Sequence, residues 1–300
     1  MRVIITGGTG LIGRALVEQL TAQAYEVIVL SRDSARAARQ FQRQPCVRAV
    51  GWDGCSGEGW GRLITADSAI VNLAGTNPAH WRWTTRYKAR IRESRLHAVA
   101  AVLDAIARYG PPEALAQASA SGYYGDRDDE TLTESSPPGE GFRAKVCQEV
   151  EEAVAAAPTR RIILRPGIIL ARDAGAFPSL RLFARMMGRQ MGDGRQWIPW
   201  VHLQDVARAI AFLIERKTLA GPFNVSAPVP TTNREFLQAA RHILGRPGVF
   251  TLSAPLLRAA LGEEASVVLD SQRMLPQRLL ASGFTFDYPN LDQALRRLLS

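Results

Sequence analysis

The stretch RVIITGGTGLIG, residues 2–13, decides the fold. Its first five residues form a short apolar run, which is typical of a parallel strand that is buried on both faces. A glycine-rich turn follows, and then a helix whose apolar face is formed by Leu11, Ile12, Ala15, Leu16 and Leu20. A strand, a glycine turn and an amphipathic helix in this order predict the first unit of an α/β fold.

The turn TGGTGLIG, residues 6–13, has the Gly-x-Gly-x-x-Gly spacing of a dinucleotide-binding loop. Glycine allows the positive φ that such a turn needs, and it lets a pyrophosphate approach bare backbone at the helix N-terminus. The alternative is a glycine turn without a ligand. We expect cofactor contacts from the whole turn: Thr6, Gly7, Gly8, Thr9, Gly10, Leu11, Ile12 and Gly13.

The same alternation continues to about residue 170. Further strands are predicted at 25–30, 46–50, 68–75, 114–120 and 161–170, with long helices at 84–109 and 142–157. This order predicts a Rossmann-type, doubly wound parallel sheet, which is an α/β fold.

Beyond residue 170 the pattern mixes glycine turns, aromatic residues and helices, one of them opened by a Thr232-x-x-Glu235 capping box. We expect a Rossmann-like domain at 1–225, in which 171–225 contributes to a smaller substrate-side lobe. A mostly helical C-terminal domain is expected at 226–300.

Two further strand ends are predicted to hold the cofactor. Ser31 and Arg32 follow the second strand, and an arginine there suits the 2′-phosphate of NADP, whereas Asp33 suits the ribose hydroxyl of NAD. We predict NADP, with NAD as the alternative. The segment NLAG (Asn72, Leu73, Ala74 and Gly75) closes the fourth strand where ligands bind in open sheets, although a simple strand–helix turn also explains it.

The composition indicates which kinds of ligand and which cellular environment to expect. The net charge is +9, but the arginines are scattered without a block of like charge, which favours small anionic ligands over nucleic acid. No apolar run reaches the roughly 18–20 residues that a membrane span needs. Cys46, Cys55 and Cys147 lack metal-site spacing and predict reduced thiols. Because a strand follows Met1 and Arg2 directly, we expect no signal peptide and a cytoplasmic location.

Several motifs in this order resemble the extended or atypical short-chain dehydrogenase/reductase superfamily: TGGTGLIG, NLAG, SASGYYGD, Lys145, LRPGIIL and WVHLQDVARAI. The segments YYGDRDDETLTESSPP and GFTFDYPNLDQAL are similar to its epimerase/dehydratase-like branch, which carries a C-terminal domain of unknown function. The resemblance implies an NAD(P)-binding oxidoreductase or nucleotide-sugar epimerase with a small anionic or nucleotide-linked substrate. It also implies a homodimer through helices 84–109 and 142–157.

That superfamily pairs a tyrosine with a lysine four residues later, and it places a serine after the fifth strand. Lys145 matches the lysine, which is implied to hold the nicotinamide ribose. Ser119 and Ser121 are the candidates for the serine, and Ser119 is preferred because it lies five residues before Tyr124. The tyrosine position is Gly141, and none of the six tyrosines has a lysine at i+4. Tyr123 and Tyr124 are the candidate replacements, with a structural role as the alternative.

The sequence suggests roles for three further groups of residues without deciding between the alternatives. Arg165, at the end of the sixth strand, is either a cofactor contact or a structural arginine. The set Arg82, Trp83, Arg195, Trp197 and Trp200 forms either a lid or core filling. Asp205 is expected to cap a helix, and His202 to brace the turn before it.

The sequence leaves catalysis open. One hypothesis is an NADP(H)-dependent enzyme with a rearranged proton donor. The alternative is a non-catalytic NADP(H)-binding redox sensor or interaction protein.

Overall fold

The computed structural model describes residues 1–78 and 83–299. Its main sheet has seven parallel strands: β1 (Arg2–Thr6), β2 (Glu26–Ser31), β3 (Val47–Gly51), β4 (Ala69–Asn72), β5 (Ala114–Ala118), β6 (Arg160–Pro166) and β7 (Gly221–Val225). Their order across the sheet is β7–β6–β5–β4–β1–β2–β3.

The helices are α1 (Leu11–Ala22), α2 (Ser34–Gln40), α3 (Thr85–Tyr109), α4 (Gly141–Ala153), α5 (Phe177–Arg185), α6 (Leu203–Glu215), α7 (Asn233–Ile243), α8 (Ala254–Leu261), α9 (Ser266–Leu269), α10 (Gln277–Ala281) and α11 (Leu291–Leu299). Across residues 1–78 and 83–299, none of the helices has the length and apolar character needed to cross a membrane. The homodimer through α3 and α4 stays a prediction.

Short strands lie outside the main sheet, at Thr131–Leu132, Ile168–Ala171, Ala174–Gly175, Gly188–Met191, Trp197–Ile198, Trp200–His202, Thr231–Thr232, Phe250–Leu252 and Arg273–Met274. A 3₁₀ turn at Ser121–Tyr124 follows β5.

Alternate residues of β1 belong to two different cores, because successive side chains of a strand point to opposite faces of the sheet. Val3 packs in one core with Leu16 of α1 and Ile210 of α6. Ile4 packs in the other core with Val102 of α3 and Val150 of α4. Helices therefore cover both faces, and the predicted doubly wound fold is confirmed.

A third core belongs to the C-terminal third of the chain. It joins Phe177 of α5 and Trp200 to Phe236 of α7 and Leu295 of α11. Residues on both sides of position 225 therefore share one apolar interior, while the domain division at 225 stays a prediction.

The structure differs from the sequence prediction at β7 and α2. The sequence of β7, GPFNV, opens with glycine and proline, which disfavour a strand, but β7 lies at the sheet edge, where a proline is tolerated. The helix α2 is only seven residues long, which is too short to show a clear apolar period. The capping box at Thr232 and Glu235 is confirmed.

Helix α1 lies so close to the glycine turn that no side chain fits between them. A Cβ atom on Gly13 would stand 2.5 Å from both the carbonyl oxygen of Gly7 and the Cα of Gly8. Gly7 has a φ of +67°, and a Cβ there would lie 2.7 Å from the carbonyl oxygen of Leu73. These contacts set the helix N-terminus directly at the carboxyl ends of β1 and β4.

We expect Gly13→Ala to lower the free energy of unfolding by about 1–3 kcal/mol, because the added methyl group must displace backbone atoms. Chemical denaturation measures this change. Gly51→Ala is the matched control, since the nearest atom to its added Cβ is Ser34 Oγ at 3.9 Å. The control should be unchanged or stabilised by up to about 1 kcal/mol. An equal effect of the two substitutions would refute the close contact at Gly13.

Candidate functional site

A cleft of ≈ 980 Å³ opens at the carboxyl ends of β1, β2 and β4. It lies where the chain reverses its direction across the sheet, between β1 and β4, which is where open α/β sheets bind ligands. Eight residues predicted to contact cofactor line it: Gly7, Thr9, Gly10, Ser31, Arg32, Leu73, Ala74 and Gly75.

Eight other predicted cofactor residues, all in the described part of the chain, are not part of this lining: Thr6, Gly8, Leu11, Ile12, Gly13, Asn72, Lys145 and Arg165. Thr6 and Asn72 are buried beneath it instead. The Thr6 hydroxyl donates to the Asn72 side chain and accepts from the N–H of Ala74 at 3.2 Å. The two buried side chains therefore position the loop at 73–75.

Sequence reasoning missed one member of this polar row. The amide nitrogen of Asn72 donates to Gln117 Oε1 at 2.8 Å, which extends the row from β4 to β5. The sequence signal that could have identified it is Gln117 itself, which is the one polar residue of the otherwise apolar strand ALAQA.

The N-terminus of α1 faces the cleft without any side chain that would satisfy it. Gly10 is the N-cap residue and has no capping side chain, and the first turn contains no acidic residue. The first N–H groups of a helix have no partner within the helix, and they attract anions. The bare helix end therefore suits the pyrophosphate of a dinucleotide.

The rest of the cleft is lined by charged residues of both signs. Its arginines are Arg14, Arg32, Arg36 and Arg90, and its acidic residues are Asp33, Asp53 and Glu93. No ion pair joins any of the four to another residue in the described ranges. Two nearby carboxylates serve the backbone instead: Asp33 accepts from the N–H of Arg36 at 2.9 Å, and Asp53 accepts from the N–H of Cys55 at 2.8 Å. The hydrogen bond from Cys55 lowers the pKa of Asp53, so that carboxylate stays charged.

A model of the NAD dependent epimerase/dehydratase family matches residues 3–226. The chain belongs to this family. A second model, for a domain of unknown function (DUF1731), matches residues 252–298. Together they confirm the family resemblance that the motifs predicted.

Relatives and a solved structure agree with this assignment. An epimerase family protein of Mycobacterium leprae is 36% identical over 98% of this chain and 94% of its own length. A chloroplastic homologue in Arabidopsis thaliana is 34% identical over 100% of this chain and 87% of its own. The crystal structure of human epimerase family protein SDR39U1 (isoform 2) with NADPH has a TM-score of 0.88, 32% identity and 99% coverage of both chains.

In this member of the family, the face of α4 that meets the turn after β5 carries Arg143, Cys147 and Glu151, spaced one helical turn apart. A Cβ on Gly122 would lie 3.0 Å from the Arg143 side chain. The Cys147 thiol donates to the carbonyl of Ala120 at 3.8 Å. The Ser119 hydroxyl donates to Glu151 Oε1 at 2.6 Å.

Lys145 does not belong to this face. It is exposed, while its neighbours Ala144 and Val146 are buried. The expected register paired Gly141 with Lys145, because the resemblance matches Lys145 to the superfamily lysine and places the tyrosine four residues before it. The structure brings residues 143 and 147 to the turn instead, so neither a tyrosine nor a lysine faces Ser119 from α4. The spacing of four residues between Arg143, Cys147 and Glu151 is the sequence signal that could have identified this face of α4.

Tyr124 and Arg165 form a buried structural network. The Tyr124 hydroxyl donates to Asn224 Oδ1 at 2.6 Å and accepts from Arg165 Nη1 at 3.0 Å. Burial raises the pKa of Tyr124 to about 12, so the hydroxyl stays protonated near neutral pH. Arg165 also binds both carboxylate oxygens of Glu151, at 2.9 and 2.7 Å. Both side chains are committed to the fold, which disfavours their predicted roles in proton transfer and cofactor contact.

Ser119 and Tyr123 are less buried than Tyr124. Both are half-buried. The Tyr123 ring lies under the Arg165 guanidinium, with 3.5 Å between Cζ and the ring centroid. Its hydroxyl bonds to no other residue in the described ranges. Ser119 and Tyr123 therefore remain the catalytic candidates from the predicted set.

The predicted tryptophan group is dispersed. Trp200 is buried in the C-terminal core, and Trp83 packs edge-on against Phe142 with 5.6 Å between ring centroids. Trp197 donates to Asp129, while Arg195 is exposed. Arg82 lies outside the described residues.

The expected cap at Asp205 is wrong. His202 caps α6 by accepting from the N–H of Gln204, whereas Asp205 accepts from the N–H groups of Asp287 and Tyr288. Asp205 therefore anchors the C-terminal segment.

We expect Lys145→Ala to change the affinity for NADPH by no more than about twofold, because exposed substitutions away from a site have small effects. A fluorescence titration with NADPH measures it. Lys217→Ala is the control, since Lys217 is also an exposed lysine. A loss of tenfold or more in Lys145→Ala alone would show that Lys145 holds the cofactor after all.

Proposed function

We propose that this chain binds NADP(H) in the cleft and uses it in an oxidoreductase or epimerase reaction on a small anionic or nucleotide-linked substrate. The observation that carries the proposal is the cleft itself, where a helix N-terminus without a cap meets four arginines that are not ion-paired within the described residues. The NADPH recorded for the human relative supports the same cofactor.

The residues after β2 support NADP over NAD. Arg32 lines the cleft beside Ser31, where an arginine suits a 2′-phosphate. Asp33 follows directly, but its carboxylate caps α2, and this engagement competes with binding a ribose hydroxyl. Arg36, from the first turn of α2, adds a second positive charge at the same end of the cleft.

We expect Arg32→Ala to raise the dissociation constant for NADPH by about tenfold or more, because hydrogen bonds to a charged group contribute about 1.5–3 kcal/mol. Affinity for NADH, which has no 2′-phosphate, should fall by less than about twofold. Parallel fluorescence titrations provide both values. The matched control is Arg39→Ala on the following helix α2, since Arg39 is exposed and is not part of the cleft lining. Equal losses for both cofactors in Arg32→Ala would contradict the NADP assignment.

Catalysis must proceed without the usual tyrosine. When bound, NADPH supplies a hydride to a carbonyl carbon. Among the chain's own residues, Ser119 follows β5 and its hydroxyl donates to Glu151 of α4, so its oxygen is the atom that can accept a hydrogen bond from a substrate hydroxyl. Such a hydroxyl positions the substrate oxygen, and Tyr123 is the candidate proton donor. Losing a dedicated general acid costs about 10²–10⁴-fold in rate, so we expect slow turnover.

A non-catalytic NADP(H) sensor is the second candidate. It is favoured by the presence of Arg143 and Cys147 where the α4 face meets the turn after β5. Oxidation of NADPH, measured across panels of carbonyl compounds and nucleotide sugars, separates the two functions. The enzyme hypothesis expects at least one substrate whose turnover falls about 10²-fold or more in Tyr123→Phe. Tight NADPH binding without turnover of any compound would support the sensor.

A further inference from the structure

Arg95 of α3 borders the cleft at the end of β4. A Cβ on Gly75 would lie 3.0 Å from its side chain, and its Nη1 donates to the carbonyl oxygen of Thr76 at 3.2 Å and to that of Ile91 at 2.9 Å. Its Nε and Nη2 donate to no acceptor within residues 1–78 and 83–299. No carboxylate of those residues forms an ion pair with it either.

Arg143 of α4 occupies the corresponding place at the end of β5, the strand that neighbours β4. Its side chain packs on Gly122. Nη1 makes one long hydrogen bond, 3.4 Å to the carbonyl oxygen of Ser266, and stands 3.6 Å from Asp270 Oδ2. Nε and Nη2 have no acceptor in the described part of the chain. Arg143 is therefore only partly satisfied.

Cys147 lies close to both guanidinium groups. Burial raises the pKa of its thiol, and the charges of Arg143 and Arg95 act against that rise. The thiol is therefore neutral at ordinary pH and does not balance either positive charge. Both arginines therefore lie near the same thiol, and among the described residues only Asp270 forms an ion pair with either of them.

Arg165 has protein acceptors for the donors that Arg95 and Arg143 leave free. In Arg165 the Nε, Nη1 and Nη2 atoms all donate to protein acceptors, and a carboxylate balances the charge. Arg95 and Arg143 are only half-buried, so solvent or a ligand can reach the donors that the protein leaves free. Two guanidinium groups with free donors at the carboxyl ends of adjacent strands are suited to bind an anion.

We propose that Arg95 and Arg143 together bind an oxyanion group of the substrate, a carboxylate or a phosphate, beside the turn that carries Ser119. This inference rests on the proposed function, since it assigns the substrate class of the same site. Planar guanidinium forks bind such oxyanions through paired hydrogen bonds, and a bound anion would supply the acceptors that Nε and Nη2 lack.

The test uses the full chain saturated with NADP⁺, which fills the other anion-binding positions of the cleft. Sodium phosphate and sodium malonate are titrated separately by calorimetry, at an ionic strength held constant with sodium chloride. We expect saturable binding of at least one of them. Arg95→Gln or Arg143→Gln should raise its dissociation constant by about tenfold or more. Arg108→Gln is the control, because Arg108 is an exposed arginine of the same helix as Arg95.

The two titrations identify the chemistry of the anion: binding of phosphate alone indicates a phosphate-bearing substrate, and binding of malonate alone a carboxylate-bearing one. Absence of binding for both, or binding that survives both substitutions, overturns the proposal. Thermal unfolding verifies that each variant is folded, and Arg95→Lys or Arg143→Lys replaces a variant that is not. If NADP⁺ itself does not bind, the proposed function fails, and the same variant comparison on the unloaded protein still tests the arginine pair.

Discussion

The close contact between α1 and the glycine turn is the constraint on which the rest of the site depends. Gly13 and Gly7 lack the side chains that would push the helix away, so the helix N-terminus reaches the carboxyl ends of β1 and β4. The row formed by Thr6, Asn72 and Gln117 then holds the neighbouring loop against the same turn. The cleft is thus a consequence of backbone packing, and side-chain chemistry is added around it.

The role that an arginine can have in this protein depends on whether its side chain is paired within the fold. The net charge of +9 is spread over arginines that look alike in the sequence. Arg165 is fully engaged within the fold, while Arg32 and Arg36 face the cleft without ion-pair partners in the described ranges. Arg95 and Arg143 are intermediate, because only the Nη1 atom of each donates to an acceptor in the described ranges. An arginine that keeps free donors at the edge of a cleft is suited to bind an anion.

Prediction succeeded where the signal is local and failed where packing decides. The first six strands were recognised because each is a short apolar run, and alternating residues of such runs serve two cores. β7 was missed because its glycine and proline are acceptable only at a sheet edge, which depends on its neighbour β6. The register of α4 was assigned from the superfamily's tyrosine-to-lysine spacing, yet the face that meets the turn is defined by contacts with Ser119, Ala120 and Gly122.

The sequence by itself determined the doubly wound fold and the dinucleotide loop, because glycine spacing and apolar periodicity act over a few residues of chain. The tertiary structure alone decided which side chains meet at the carboxyl end of β5. It committed Tyr124 and Arg165 to a buried network and turned Lys145 to the surface. It also brought Arg95 and Arg143 near one thiol, that of Cys147, although their residue numbers differ by 48. Contacts between distant segments depend on how helices pack on the sheet, and no local pattern encodes that.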